Sequence, residues 1–173
     1  MQLIRTTKEE IGWATLNHKI KAGEFQKGDE IEINGSLWRV LDTEENGIFI
    51  WKHSGPGEDV VFNENGSNKY EGSDIQKYAR EEFPATLPKG LTELVTEDGF
   101  NPLSIEEIRR YLPTEGERIV TDENGDTTWW WSRSANRGSA YAAWSVSTSG
   151  NANGYFYAYY ASRFAPACHL KGI

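Results

Sequence analysis

The residues with the most chemical potential in this chain are crowded near its end. Between Trp129 and Phe164 lie 11 of the 22 aromatic residues, interleaved with Ser, Asn, Gly and Ala and free of any acid. Tyr and Trp offer large amphipathic contact area at low rotamer cost, and Ser, Gly and Asn adapt their hydrogen bonds, so this composition suits non-covalent recognition. Tyr155, Tyr157 and Tyr159 alternate with Phe156 and Ala158. As a strand, that run would turn three phenols to one side, and the expectation is that they face water.

Covalent chemistry has little to work with. Cys168 is the single cysteine, which excludes an intrachain disulfide, a zinc site built on several cysteines and a two-cysteine redox cycle. Between Ala167 and His169 it reads as a packed small apolar residue rather than a nucleophile. His18, His53 and His169 are far apart, and none belongs to a metal-ligand motif. No Ser-His-Asp spacing or phosphate-binding glycine loop is present. The chain therefore reads as non-enzymatic, with no cofactor. The turn Asp122-Glu123-Asn124-Gly125-Asp126 carries oxygen ligands of the kind that hold cations, but lacks the spacing and terminal glutamate of an EF-hand; clustered Asp, Asn and Gly are first of all turn formers.

Charge narrows the partners. The formal net charge is −8, and all 26 acidic residues but only 14 of the 18 Lys and Arg lie at or before Asp126. An acidic chain argues against nucleic acid, which normally meets a basic face. No stretch approaches the about eighteen apolar residues of a membrane span, and the charged opening Met1 to Glu10 does not read as a secretory signal. The expectation is a soluble protein with no membrane insertion.

The elements that must position the aromatic segment can be read in order. A length of 173 residues suits one domain, 1–173, with 129–173 as its binding region. Thr7-Lys8-Glu9-Glu10 is a capping box opening a helix to about Ile20, with Trp13, Leu16 and Ile20 on one face. Glu30 to Ile33, the Asn34-Gly35 turn, Leu37 to Leu41, the turn Thr43 to Gly47 and Ile48 to Trp51 make a β-meander. His53 to Gly72 reads as a long polar surface loop. Ser73 or Asp74 caps a helix through Phe83, with Ile75, Tyr78, Ala79 and Phe83 inward, and Ser104-Ile105-Glu106-Glu107 opens a helix to Tyr111 that Pro113 ends. Strands then follow at Trp129 to Arg133, Tyr141 to Ser147, Tyr155 to Tyr160 and Phe164 to Leu170, with turns at Ser149-Gly150 and Asn153-Gly154.

Three stretches carry a family resemblance: Trp130-Trp131-Ser132-Arg133-Ser134, Tyr141-Ala142-Ala143-Trp144-Ser145-Val146-Ser147-Thr148-Ser149-Gly150, and Ala165-Pro166-Ala167-Cys168. Together they resemble the C-terminal region of C-type-lectin-fold variable proteins of diversity-generating retroelements, which occur in phages, bacteria and archaeal viruses. Upstream, Gly35 to Leu41 fits the G-x-x-W-x-V-L strand of related domains. Asp74 to Phe83 fits their short helix before a Phe, and Gly99 to Ser104 the lead into a second helix. The resemblance spans about Gly28 to Leu170.

It implies an α+β, C-type lectin-like fold with short antiparallel strands, two to three short helices and long irregular loops, akin to the formylglycine-generating enzymes. Those enzymes rely on paired cysteines, which this chain lacks. It also implies diversified solvent-facing side chains. Such systems mutate adenines, often in AAY codons, which reach Asn, Ser, Tyr, Arg, Phe and Ala but never Trp. Asn136, Arg137, Ser139, Tyr141, Tyr155, Tyr157, Tyr159, Tyr160 and Arg163 are then the expected variable, ligand-binding positions, and Trp129, Trp130, Trp131 and Trp144 the framework. Many relatives have Gly-Val-Arg-Pro-Ala where this chain reads Arg163-Phe164-Ala165-Pro166-Ala167, so a tethering arginine is missing.

The implied partner is a protein or glycan ligand on a target cell surface, met from a phage or viral tail tip, which needs no export signal, or from a cell surface reached by a non-standard route. A homo-oligomer is compatible with this. Two other readings remain open: a metal-independent glycan-binding module, and a virion structural protein with one fixed partner. A calcium-dependent lectin fits poorly, because the terminal segment has no carboxylate.

Overall fold

The computed structural model describes residues 9–173 and is mixed α+β, with two sheets and a few short helices. Thr7 and Lys8 of the expected capping box lie outside the described residues. Helix α1 (Glu9–Lys21) buries Trp13, Leu16 and Ile20, as its spacing predicts. The meander follows as β1 (Glu30–Ile33), β2 (Ser36–Glu44) and β3 (Gly47–Ser54). Asn34 and Gly35 both have positive φ, 48° and 80°, the left-handed pair that a two-residue hairpin turn requires. The second turn is tighter than Thr43 to Gly47, because β2 and β3 pair as far as Glu44 and Gly47.

The 53–72 stretch is not simply a surface loop. It contains β4 (Asp59–Val61) and buries Phe62, Asn63 and Asn68. Ser73 Oγ accepts from Gln76 N at 3.2 Å and caps α2 (Asp74–Lys77), which continues as a π turn Tyr78–Glu82 and a 3-10 turn Phe83–Thr86. Ile75, Ala79 and Phe83 are buried and Tyr78 packs against them at the core's edge. A short α3 (Lys89–Thr92), with Pro88 at its N-cap, was not legible in the sequence. After β5 (Asn101–Pro102), helix α4 (Ile105–Tyr111) carries both bonds of the expected capping box between Ser104 and Glu107. A 3-10 turn Glu115–Arg118 and the hairpin β6 (Val120–Thr121) and β7 (Thr127–Thr128) lead to β8 (Trp130–Ala135), β9 (Ala142–Val146), β10 (Ala152–Tyr157), β11 (Ala161–Arg163) and β12 (Pro166–Lys171).

One sheet has the order β1-β2-β3-β12-β5, with the β6-β7 hairpin attached through β3; the other is β10-β9-β8-β11-β4. The terminal strand β12 thus inserts beside β3 in the middle of the first sheet, with Cys168 opposite Ile50. The period-two alternation of strands separates two apolar clusters. Trp131, Ile50, Trp38 and Phe164 lie in one, and Trp130, Trp51, Val146 and Ala165 in the other. Adjacent tryptophans on β8 therefore anchor both halves of the core. Among the described residues no helix is long and apolar enough to cross a membrane.

Candidate functional site

The second sheet carries the aromatic surface. Trp130 and Trp131 are fully buried, and each indole N–H is satisfied by a backbone carbonyl: Trp130 Nε1 donates to Arg118 O at 2.9 Å and Trp131 Nε1 to Val60 O at 2.8 Å. Buried indoles with satisfied donors fix β8 rigidly. Phe156 on β10 meets Trp131 edge to face, 5.2 Å between centroids, and stacks on Trp129 at 5.2 Å and 22°. Trp129 is 36% exposed, so it is not the buried framework residue expected from the sequence. Two positions before Trp131, it leaves the core on the same side and ends as a surface plate over Phe156. Trp144 is also only half-buried, with the Arg109 guanidinium over its ring at 5.3 Å.

The phenols face outward. Tyr141 and Tyr155 are 62% and 75% exposed, and Tyr157, Tyr159 and Tyr160 are about half exposed. Strand β10 stops at Tyr157 rather than Tyr160; the chain turns there, with Tyr160 N donating to Tyr157 O at 3.0 Å. That turn folds Tyr159 back onto Tyr157, the rings parallel within 4° at 5.6 Å, while Tyr160 stands edge-on to both at 4.8 and 5.7 Å. Tyr160 also contacts Phe156 at 5.4 Å. A continuous aromatic path thus runs from the core through Trp131 and Phe156 to the exposed tyrosines. A hydrogen bond with Tyr160 raises the Tyr159 phenol above its ordinary range.

Tyr155 stands apart from this ring cluster, at a bulge. Asn153 pairs with Ser145 and Phe156 with Ala143, so β10 carries one extra residue there, which re-aims the side chains that follow. Gly154 lies in the bulge because a Cβ on it would sit 2.9 Å from the Trp144 ring.

The loop between β8 and β9 forms the neighbouring surface, and its expected contact residues divide. Arg137 is exposed and Ser139 half-buried. The Asn136 side chain, by contrast, is built into the loop: Nδ2 donates to Gly154 O at 2.6 Å and Oδ1 accepts from Gly138 N at 2.7 Å. Asn136 is a tether, not an outward contact residue. Arg163, expected at the variable surface, is buried instead. It is 9% exposed and lies within β11 opposite Asp59, because β11 is an inner strand of its sheet, flanked by β8 and β4.

Sequence reasoning missed Asn68. It is buried, and its side-chain amide is shared among the carbonyls of Asn136 (3.2 Å), Ser139 (2.5 Å) and Ala142 (2.8 Å), while its backbone N–H donates to Ala140 O at 3.0 Å. One residue from the distant 62–73 stretch therefore fixes the whole loop that presents Arg137, Ser139 and Tyr141. No sequence signal distinguishes it from other asparagines in that polar stretch.

Among the described residues, the other titratable groups singled out by the sequence lie away from this surface. Cys168 is buried beside Ile50, and burial pushes its thiol well up, the opposite of an activated thiolate. The Asp122 carboxylate accepts from Asn124 N at 2.8 Å and Asp126 N at 3.0 Å, bonds that close the β6-β7 turn. No group of three or more His, Cys, Asp and Glu able to hold a metal is found among the described residues.

Residues 92–172 match a family described as a domain of unknown function (DUF6273). The matched stretch runs from α3 to β12 and contains the aromatic surface with its tryptophan backing, but neither the meander nor Asn68. No curated protein and no solved structure matches the chain.

Proposed function

We propose that this chain is a non-enzymatic recognition module of C-type lectin-like architecture, binding a protein or glycan ligand of a target cell surface through Trp129, Arg137, Ser139, Tyr141, Tyr155, Tyr157, Tyr159 and Tyr160. The observation that supports this reading best is the path from buried Trp131 through Phe156 to exposed phenols. Such rings are held before any ligand arrives, so little ordering entropy opposes binding. In this reading the module belongs with the variable proteins of diversity-generating retroelements, displayed on a phage or viral tail tip or on a cell surface, possible as a homo-oligomer. Several displayed copies would raise weak single-site binding by about a hundredfold or more.

Sequencing the 3′ end of the gene across its source population tests the diversification. Substitutions concentrated at Arg137, Ser139, Tyr141, Tyr155, Tyr157, Tyr159 and Tyr160, with Trp130 and Trp131 constant, are expected. A uniformly constant segment sinks diversification and leaves a fixed-partner module. A metal-independent glycan site is the second reading, favoured by the outward Trp129 plate stacked on Phe156, since flat exposed rings suit sugar faces. A glycan array, run with and without a metal chelator, tests it: binding that survives chelation supports the glycan site, and no binding to any sugar leaves a protein ligand.

A further inference from the structure

Lys52 and Arg163 are the two basic side chains that the fold buries among the described residues, at 6% and 9% exposure. Their charged ends converge on one point: a Cβ on Gly57 would lie 3.0 Å from Lys52 Nζ and 3.2 Å from Arg163 Nη1. Neither has a close anionic hydrogen-bond partner. Lys52 Nζ donates to the neutral Pro56 carbonyl. Arg163 Nε is 3.5 Å from Asp59 Oδ1, too far for a hydrogen bond, and the Asp59 side chain is 62% exposed. Arg163 Nε has no hydrogen-bond partner among the described residues. Two like charges withdrawn from water, with no carboxylate among the described residues hydrogen-bonded to either, are costly. Burial first, and the Arg163 charge second, push the Lys52 ammonium down to about 8, with Glu123 opposing.

Beside this pair opens a cleft of about 320 Å³. Lys52 and Gly57 belong to its wall, Ile33, Tyr78, Phe83 and Leu87 supply apolar surface, and Glu58 and Glu123 also border it. We infer that this cleft binds a small organic monocarboxylate, its head group at Lys52 Nζ beside Gly57 with Arg163 as the flanking second charge, and its body against the apolar wall. The carboxylates of Glu58, Glu123 and Asp59 disfavour a multiply charged anion such as phosphate, whereas the two buried cations, which lack an anionic hydrogen-bond partner among the described residues, favour a single carboxylate head group over a neutral one. The site is separate from the tyrosine surface and stands whether or not that surface binds a ligand.

The test is an NMR titration of the full ¹⁵N-labelled chain at neutral pH, following the amides of Gly55, Gly57 and Glu58, with benzoate as probe and benzamide and inorganic phosphate as comparisons. Benzoate is expected to saturate at millimolar concentration or below, with benzamide and phosphate at least about tenfold weaker. Lys52→Met removes the head-group contact and is expected to weaken benzoate by about tenfold or more. Gly57→Ala occupies the meeting point of the two cations. Its backbone is not left-handed and only flexible side-chain ends oppose the new methyl, so it folds and binds about fivefold more weakly. Failure of benzoate to saturate, an equal response to benzamide, or undiminished binding in both variants overturns the site. Phosphate binding as tight as benzoate overturns the ligand class.

Discussion

Trp131 and Phe156 meet edge to face, 5.2 Å between centroids and 76° between planes, where the core of the second sheet becomes its surface. Phe156 also lies under Trp129 and beside Tyr160, so one side chain supports both outward elements. Phe156→Ala is expected to lower stability in urea denaturation by about 2 to 4 kcal/mol, from lost burial and lost ring pairs together. Phe156→Leu keeps most of the volume and should cost less than half of that. Equal costs for the two would mean that ring geometry, rather than burial, dominates.

The exposed phenols behave differently. Single Tyr→Ala changes at Tyr155, Tyr157 or Tyr159 remove side chains that water already reaches, so the melting temperature should stay nearly constant. Binding to a cognate ligand should fall by roughly 1 to 3 kcal/mol at each hot-spot position. Tyr155 is the sharpest case, since it makes no ring contact with the Tyr157, Tyr159 and Tyr160 cluster. A large drop in melting temperature for Tyr155→Ala would place the phenols in the folding core instead.

Asn68 sets the loop from behind. Asn68→Ala leaves the carbonyls of Ser139 and Ala142 without their side-chain donor, and the expected cost is about 2 to 3 kcal/mol. Hydrogen exchange should localise the change. The amides of residues 136–142 are expected to lose protection while β2, β3 and β12 keep theirs. Protection lost evenly over the chain would show instead that Asn68 supports global folding.

Local signals carried much of this architecture. Asn34-Gly35 specifies its hairpin through the left-handed backbone, and Ser104 with Glu107 specifies α4 through reciprocal caps, so both could be read from a few adjacent residues. The alternation at Tyr155 to Ala158 likewise gave outward phenols. What was illegible depends on distant pairing. The burial of Arg163 follows from β11 being enclosed between β8 and β4, which no local pattern announces. Trp129 looks like its neighbours in composition, yet β8 begins only at Trp130, so its ring reaches the surface. Asn136 and Asn68 differ from solvent-facing asparagines only in which carbonyls lie within reach.

Lys52 should leave a signature in the pH dependence of stability. Its folded value is about 8 against an ordinary 10.5, so between these limits the unfolded chain holds more protons and stability rises with pH. The destabilisation is fully expressed below the folded value and is relieved as the ammonium loses its proton. Its size is roughly 3 kcal/mol as an upper figure. Arg163, Asp59, Glu58, Glu123 and Tyr78 surround the group, so the measurement is the difference between the native chain and Lys52→Met. Urea denaturation at pH values from 7 to 9.5 is expected to show the native chain gaining stability relative to the variant. A constant difference across that range would mean that Lys52 keeps its ordinary protonation, and with it that the two buried cations are not in mutual repulsion.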